Sequence, residues 1–414
     1  MRSKSRPDAS VQPRSVGIVG AGQLARMLCE AASTLGIRTV VLASASDDAA
    51  VPAASDVLVG PATDPSALRA LAARCDVVTF DHEQVDLDVV SELEREGIVL
   101  RPGVETLRVA VDKAEMRTRL AAAGLPVPAY EVLRVADLPT RGASELAAAI
   151  GTFAAVHGWP AVVKATRGGY DGKGVWRVDG EAAARALCDD TARGASPLLV
   201  EAHVDIDIEL AVAVVRGIDG SSLAWPAVET VQVDGVCREV RYPGRLDTDL
   251  ARRAAAIARE VAAVVDATGV LAVELFASGE RLLVNEIAAR PHNSAHWTIE
   301  GATTSQFENH LRAVLGLPLG DTAPAAAHVA SVNVLGAPSR APSTLAGGSC
   351  DPMSAALAVR GAHVHLYGKT PRPGRKLGHV TVCGDDPEDV RARAWAAAQA
   401  LGAPSPAPVL PGAP

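Results

Sequence analysis

Aromatic side chains are scarce: Phe, Trp and Tyr supply 3% of the 414 residues. A surface that binds nucleic acid by stacking bases needs exposed rings, so that class of function is excluded. An excess of positive charge is lacking too. The formal net charge is −8, the wrong sign for gripping a polyanion or an anionic membrane. The six cysteines (Cys29, Cys75, Cys188, Cys237, Cys350 and Cys383) include no CxxC or other ligand-like pair. They read as free thiols in a reducing compartment. No uncharged apolar run approaches the ~18 residues of a membrane span. The start, Met1 to Arg14, is basic and Ser/Pro-rich without the apolar core of a secretory signal. The expectation is a cytoplasmic protein with neither a membrane nor a nucleic-acid partner. What is present is 48% hydrophobic and 21% charged residues. That is the balance of an ordinary globular protein, here long enough for two or three domains.

Between residues 16 and 105 strand and helix signals alternate. Val16–Val19, Thr39–Leu42, Asp76–Phe80 and a segment ending at Val99 and Leu100 read as buried strands. Helices over Gln23–Leu35 and Pro65–Arg74 fall between them, and such βαβ alternation predicts a parallel sheet covered by helices. Further on, Asp112–Ala123 and Arg252–Thr268 have helical spacing, the second with Ile257, Val261, Val264 and Val265 on one face. Leu271–Phe276 and Arg281–Ile287 flank Ala277-Ser278-Gly279-Glu280, a hairpin signal. The span 336–352 reads as a loop, His363–Leu366 and His379–Val382 as strands around a basic loop, and Val390–Leu401 as a closing helix.

Two glycine loops follow strands. Gly20-Ala21-Gly22-Gln23-Leu24-Ala25 fits the dinucleotide fingerprint, in which glycines let a pyrophosphate approach a helix N-terminus. Holding NAD also requires an acid at the end of the second strand, where the chain has Ala43 and Ser44. That leaves a different phosphate, or a turn needed only for close packing. The second loop is more specific. Val162-Val163-Lys164 runs into Gly168-Gly169-Tyr170-Asp171-Gly172-Lys173-Gly174. A strand-borne lysine meets a nucleotide phosphate as a point charge, and a glycine-rich flap closes its N–H groups over the others. No Walker P-loop is present, and the protein-kinase glycine loop precedes its lysine instead of following it.

Glu274 and Glu286 lie in apolar strand patterns on either side of the hairpin turn. Buried carboxylates need a partner, and two of them together with phosphate oxygens and water are how Mg²⁺ is usually held. Directly after Glu286 comes Arg290-Pro291-His292-Asn293-Ser294-Ala295-His296-Trp297, a dense array of donors for an anion. Lys369-Thr370-Pro371-Arg372-Pro373-Gly374-Arg375-Lys376 is a local cationic cluster in an acidic chain, readable as a phosphate subsite or as a solvated basic loop.

These segments resemble the 5-(carboxyamino)imidazole ribonucleotide synthases, ligases of the ATP-grasp superfamily. The matching stretches are Gly20–Met27, Lys164–Gly174, Asn285–Trp297, Thr304–Glu308 and Tyr367–His379, in the family's order. The resemblance implies ATP-dependent carboxylation of 5-aminoimidazole ribonucleotide by bicarbonate through carboxyphosphate, within purine biosynthesis. ATP would be the co-substrate, two Mg²⁺ the cofactors, and a homodimer the assembly. It assigns Lys113, Lys164, Gly169, Gly172, Lys173, Gly174 and Asn285 to ATP, with Glu201, Ala202 and Val204 at the adenine and Glu209 at the ribose. Glu274 and Glu286 become the metal ligands. Tyr170, Asp171, Arg290, His292 and Asn293 take the chemistry, and Gly22, Gln23, Asp81, Lys369, Arg375 and Lys376 the ribonucleotide.

The chain departs from the family at several points. Asp81 replaces a longer carboxylate, and Gln232 stands where relatives carry a nucleotide-contacting histidine. Lys113 stands where an arginine is common. The implied architecture is an α/β, three-domain ATP-grasp enzyme. Its parts are a disordered arm (1–14), an N-terminal Rossmann-like βαβ domain (15–105), the ATP-grasp domain with its flap (106–317), a small C-terminal domain (318–402) and a disordered tail (403–414). The nearest alternative is another ATP-grasp ligase, such as a formate-using glycinamide ribonucleotide transformylase.

Overall fold

The computed structural model describes residues 14–134, 142–169, 173–191, 197–336 and 351–405. Nearly all of the expected arm and most of the expected tail therefore lie outside the described residues, as does Cys350. The chain divides into two compact units, Met1–Arg101 and Pro102–Pro414. In the first, β1 (Ser15–Val19), β2 (Arg38–Ala43), β3 (Asp56–Val59) and β4 (Val77–Phe80) form a parallel sheet in the order β3-β2-β1-β4. Its helices are α1 (Gln23–Thr34), α2 (Pro65–Ala72) and α3 (Leu87–Arg95). Val16, Ile18, Val40, Val41 and Leu42 are buried in an unbroken apolar run, as in a parallel sheet covered on both faces. The strand expected to end at Val99 and Leu100 is only a bridge from Leu100 to Val78. Pro102 has no N–H to carry the ladder further.

The second unit opens with α4 (Val104–Val111) and α5 (Lys113–Ala122). Asp112 separates them because its carboxylate accepts from the Ala114 and Glu115 N–H groups, the arrangement of an N-cap. A small antiparallel sheet follows, of β5 (Tyr130–Leu133), β6 (Ala161–Ala165), β7 (Val175–Val178) and β8 (Leu198–Ala202), ordered β5-β8-β6-β7. Helices α6 (Ala143–His157) and α7 (Glu181–Thr191) cover it, with Leu146, Ile150 and Phe153 packed on Val163 and Val200.

The large sheet contains β9 (Ile208–Arg216), β10 (Ser222–Ala224), β11 (Val228–Val233), β12 (Val236–Tyr242), β13 (Gly269–Ser278), β14 (Arg281–Ala288), β15 (His328–Leu335), β16 (Ala362–Leu366) and β17 (Lys376–Gly384). Its order is β14-β13-β9-β11-β12-β15-β17-β16, with β10 paired to β9. Alternation along β9 and β13 sorts the side chains. Val212, Val214, Val273 and Leu275 face α8 (Thr248–Val264) in one core. Ala211, Ala213 and Val270 face Trp225, Ala295 and Trp297 in another. Helix α8 starts at an Asp247 cap, ahead of the Arg252 expected from its apolar spacing.

The remaining helices are α9 (Thr298–Gly301), α10 (Gln306–Val314), α11 (Pro352–Leu357) and α12 (Pro387–Ala400). Strand β15 pairs with β12, so the C-terminal strands continue the same sheet instead of building a separate one. That pairing also removes an exposed sheet edge from β12. Ala403 is still buried in the cluster around α12. No helix among the described residues is long and apolar enough to cross a membrane.

Candidate active site

The strand-borne lysine is held from three sides. Lys164 is at the penultimate position of β6, and its Nζ lies 2.6 Å from a Glu201 carboxylate oxygen on β8 and 3.0 Å from Asn285 Oδ1 on β14. Burial pulls its ammonium below the ordinary lysine value while Glu201 pushes it back up. Glu201 is held ionised against its own burial by Lys164 together with Arg117. Arg117, from α5, is completely buried and donates to the carbonyls of Val284 at 2.6 Å and Asn285 at 3.0 Å, besides its ion pair with Glu201. One turn earlier on the same helix, Lys113 Nζ meets Glu286 Oε2 at 2.7 Å. The two lysines assigned to ATP phosphate therefore converge on the hairpin that carries Glu274 and Glu286.

That hairpin forms as its turn signal predicts, with Glu274 directly opposite Glu286 and a bulge just beyond. Residues facing each other across a ladder share a face, and Glu209 on β9, opposite Phe276, shares it too. Burial, then repulsion from Glu286 and Glu209, pushes the Glu274 carboxyl up to about 7. Burial alone does the same to Glu209, also to about 7. Like charges gathered in a low-dielectric site call for a cation, and the donor set of two hard carboxylates suits Mg²⁺. No group of three or more His, Cys, Asp or Glu side chains able to hold a metal ion occurs among the described residues. Mg²⁺ usually takes one or two carboxylates and completes its shell with phosphate and water, so the residues fit.

The flap begins and ends at positive φ, +76° at Gly168 and +72° at Gly174, conformations that favour glycine. A Cβ on Gly169 would stand 2.7 Å from the Lys173 carbonyl oxygen, so its two sides approach too closely for a side chain. Tyr170, Asp171 and Gly172 lie outside the described residues. Ala202 ends β8 with its N–H on the Ala129 carbonyl, and Val204 follows in the link to β9. Gln232 is on β11, two strands over from Glu274, at a bulge opposite Cys237.

On the other side of the carboxylates stand the anion donors. His292 Nε2 is 3.8 Å from Glu274 Oε1, and its Nδ1 accepts a long 3.4 Å hydrogen bond from the Ser294 N–H. Burial first, then the charges of Arg290 and Lys376, hold this imidazole neutral, well below the usual histidine value. Lys376 also acts on Glu274, so the start of β17 is within electrostatic reach of the hairpin. Lys369 is stacked over the Tyr367 ring at 5.7 Å, and Arg375 donates to the Thr370 carbonyl at 3.0 Å. The basic loop is therefore folded back on itself beside the donor array. Asn293 offers Oδ1 to His296 Nε2 at 3.0 Å.

In the N-terminal unit, Gly22 begins the turn into α1 and Gln23 is that helix's first residue. The carboxylate of Asp81, at the end of β4, takes the Gly22 N–H at 2.6 Å. A Cβ on Gly20, whose φ is +99°, would lie 1.9 Å from Asp81 Oδ1. Close packing against Asp81 thus accounts for the first glycine of the fingerprint without any dinucleotide.

Sequence reasoning passed over two residues. Arg117 follows Lys113 by one helical turn, a signal that both cations face the same way. Gln306 is fully buried at the start of α10 and holds the main chain of His292.

Three family models match the chain in order. They are the ribonucleotide synthetase preATP-grasp domain over residues 14–111, the ATP-grasp domain over 118–307 and the phosphoribosylaminoimidazole carboxylase C-terminal domain over 329–393. The chain is similar to the N5-carboxyaminoimidazole ribonucleotide synthase of Mycobacterium leprae, at 44% identity over 97% of this chain and 92% of that one. Among solved structures it is similar to the synthetase of Thermus thermophilus, with a TM-score of 0.80, 35% identity and coverage of 94% and 98% of the two chains. The Aspergillus clavatus synthase, solved with ADP and 5-aminoimidazole ribonucleotide, gives 0.81 and 31% over the same shares.

Proposed function

Since the chain belongs to the N5-carboxyaminoimidazole ribonucleotide synthase family of ATP-grasp ligases, we propose that the converging Lys164, Glu274, Glu286 and His292 are its reaction centre and that bicarbonate is its carboxyl source. The enzyme carboxylates 5-aminoimidazole ribonucleotide at the expense of ATP in purine biosynthesis. The observation that carries the site assignment is the cross-strand pair Glu274–Glu286, with Lys113 and Lys164 on one side and His292, Arg290 and Lys376 on the other.

Bicarbonate is a poor electrophile, and moving a phosphoryl group onto it solves that problem. One bicarbonate oxygen attacks the γ-phosphorus while the bond to the β-phosphate oxygen breaks, which yields ADP and carboxyphosphate. The amine of the ribonucleotide then forms a bond to the carboxyl carbon, phosphate departs from that carbon, and the amine loses a proton. Little covalent work falls to the protein; positioning and charge neutralisation do most of it.

Lys113 and Lys164 hold the ATP phosphates, and the flap amides from Gly169 to Gly174, with Lys173, close over them. Asn285 orients Lys164. Ala202 and Val204 flank the adenine beside Glu201, Glu209 takes the ribose hydroxyls, and Gln232 reaches the nucleotide from β11. A carboxyl already raised to about 7 by burial suits Glu209 for exchanging hydrogen bonds with hydroxyls. Glu274 and Glu286 would hold Mg²⁺, which would supply charge neutralisation for the phosphoryl transfer. Arg290, neutral His292 and Asn293 donate to the carboxyl group in transit, and Tyr170 and Asp171 close on the imidazole. Lys369, Arg375 and Lys376 take the ribonucleotide phosphate, and the family resemblance assigns Gly22, Gln23 and Asp81 to the ribonucleotide as well. The family resemblance supports a homodimer in the cytoplasm.

The test is ADP release with ATP, Mg²⁺, bicarbonate and the ribonucleotide, each left out in turn. ADP is expected only when the ribonucleotide is present, and Arg375→Ala raises the KM for the ribonucleotide at least ~10-fold, the loss of one charged contact worth ~1.4 kcal/mol. ADP release that ignores the ribonucleotide would overturn the substrate assignment.

A further inference from the structure

Gln306 is the first residue of α10. Ser305 caps that helix by accepting from the Glu308 N–H, and the Gln306 N–H is fixed on Thr298 Oγ1 at 3.0 Å. The side chain is completely buried, and its amide meets the main chain of His292 twice. Oε1 accepts from the His292 N–H at 2.8 Å, and Nε2 donates to the His292 carbonyl at 2.8 Å. A backbone N–H only donates and a backbone C=O only accepts, so these two contacts fix which end of the glutamine amide is oxygen. The second Nε2 hydrogen reaches His296 Nδ1 at 3.2 Å. That ring nitrogen must therefore be the bare one, and the proton of a neutral His296 belongs on Nε2. Burial, followed by the charges around it, does keep His296 neutral. His296 Nε2 lies 3.0 Å from Asn293 Oδ1 and donates to it. The end of the Asn293 amide turned away from His296 is then NH₂, a donor.

We propose that Gln306 is a positioning residue for the carboxylation: by fixing the His296 tautomer it turns the Asn293 amide so that a donor, and not an oxygen, is presented to the anionic carboxyl group. This deepens the reading above and rests on it, because the orientation matters only if Asn293 meets bicarbonate or carboxyphosphate. An acceptor at that place repels an anion, whereas a donor binds it. The same glutamine holds the main chain of His292, so one buried amide orders both neighbours in the donor array. The His296 ring is itself kept in place by stacking on Phe307 and His379, at centroid distances of 5.7 and 4.7 Å.

The direct test is the nitrogen-15 histidine spectrum of the full-length protein, recorded on the wild type and on Gln306→Glu. The wild type is expected to show His296 with Nε2 protonated and Nδ1 bare. An ionised glutamate at 306 accepts from Nδ1 and inverts the tautomer. Asn293 must then give its NH₂ to His296 and show its oxygen to the substrate. For Gln306→Glu we expect the inverted signature together with a fall in kcat of at least ~30-fold, as for losing a preorganised donor, while the KM for ATP stays within twofold. Asn293→Asp keeps the acceptor for His296 but removes the NH₂. It should lose kcat to a similar degree with the wild-type tautomer intact, and combining the two changes should add little, as for residues acting as a unit.

A wild-type His296 protonated on Nδ1, or Gln306→Glu with kcat within twofold of wild type, overturns the proposal. If Gln306→Glu does not fold, the wild-type tautomer and the Asn293→Asp kinetics decide it: the Nδ1 form, or unimpaired turnover, refutes it. The spectrum requires no substrate, so an error in the substrate assignment appears separately, as wild-type ADP release that ignores the ribonucleotide.

Discussion

Removing the Arg117 guanidinium tests how Lys164, the lysine proposed to meet the ATP phosphates, is held. Arg117 has no exposed surface, and Glu201 beside it is 2% exposed. Three groups lose their partner in Arg117→Met: one carboxylate oxygen of Glu201 and the carbonyls of Val284 and Asn285. Breaking a buried, hydrogen-bonded ion pair from one side destabilises by ~3–5 kcal/mol, and leaving buried carbonyls unpaired keeps the loss in the upper half of that range. Glu201 retains Lys164 at 2.6 Å, so the loss does not include an isolated charge. Glu201→Gln should be about as damaging, because it leaves Arg117 and Lys164 as two cations with no anion between them. In the double variant the Arg117–Glu201 contact has already gone, and the summed single losses should exceed the double loss by ~2 kcal/mol or more, the coupling expected of contacting charged groups. Urea unfolding of the four proteins measures this directly. With Arg117 gone, Glu201 pulls on Lys164 alone, and the KM for ATP is expected to rise ~10-fold, the equivalent of ~1.4 kcal/mol. Losses that add to within ~0.5 kcal/mol would refute the picture of one shared buried network.

Two further perturbations reach other parts of the chain. His310 on α10 accepts from the Val270 N–H at 3.0 Å, and burial pulls its imidazole down to about 3. The unfolded chain takes up that proton near pH ~6.5, so the stability His310 contributes is whole above that value and is lost as pH falls from there toward the folded value. Between pH 7.5 and 5.5, urea midpoints should show the wild type losing ~1.4 kcal/mol more than His310→Gln, and equal losses would contradict this. In the N-terminal unit, Gly20→Ala must place a methyl group 1.9 Å from Asp81 Oδ1 at a φ of +99°. Strain and overpacking together should remove ~3 kcal/mol, again by urea unfolding, and less when Asp81→Ala is added, the strain at positive φ remaining; equal losses with and without Asp81 would remove the clash with Asp81 as a reason for the glycine.

Local chemistry explains which features the sequence made legible. The β13–β14 hairpin carries a glycine turn between two apolar runs, so its existence and the opposition of Glu274 and Glu286 follow from neighbours in the chain. Lys164 at the end of a strand, before four closely spaced glycines, is equally local. Where pairing is long-range the signal fades. Helix α6 is so rich in alanine that its apolar positions mark no face, and it went unread. The union of β12 with β15 makes the C-terminal strands part of the large sheet, yet neither strand announces its partner. Arg117 illustrates the same limit inside the site, since its carbonyl partner Val284 is 167 residues away.

Gln306 was out of reach for a different reason. Read alone, a polar residue after a serine cap belongs on a solvated first turn. Yet its helical neighbours His310, Ala313 and Val314 are all buried, so position 306 falls on an inward-facing stripe. A glutamine on such a stripe must satisfy three donor and acceptor sites without water, and a strand-end loop rich in histidine and asparagine is where those partners are found. Buried polar positions on otherwise apolar helix faces therefore point toward the residues they organise. Here that path runs from α10 to Asn293, whose role the family resemblance indicates but whose orientation only the hydrogen-bond directions decide.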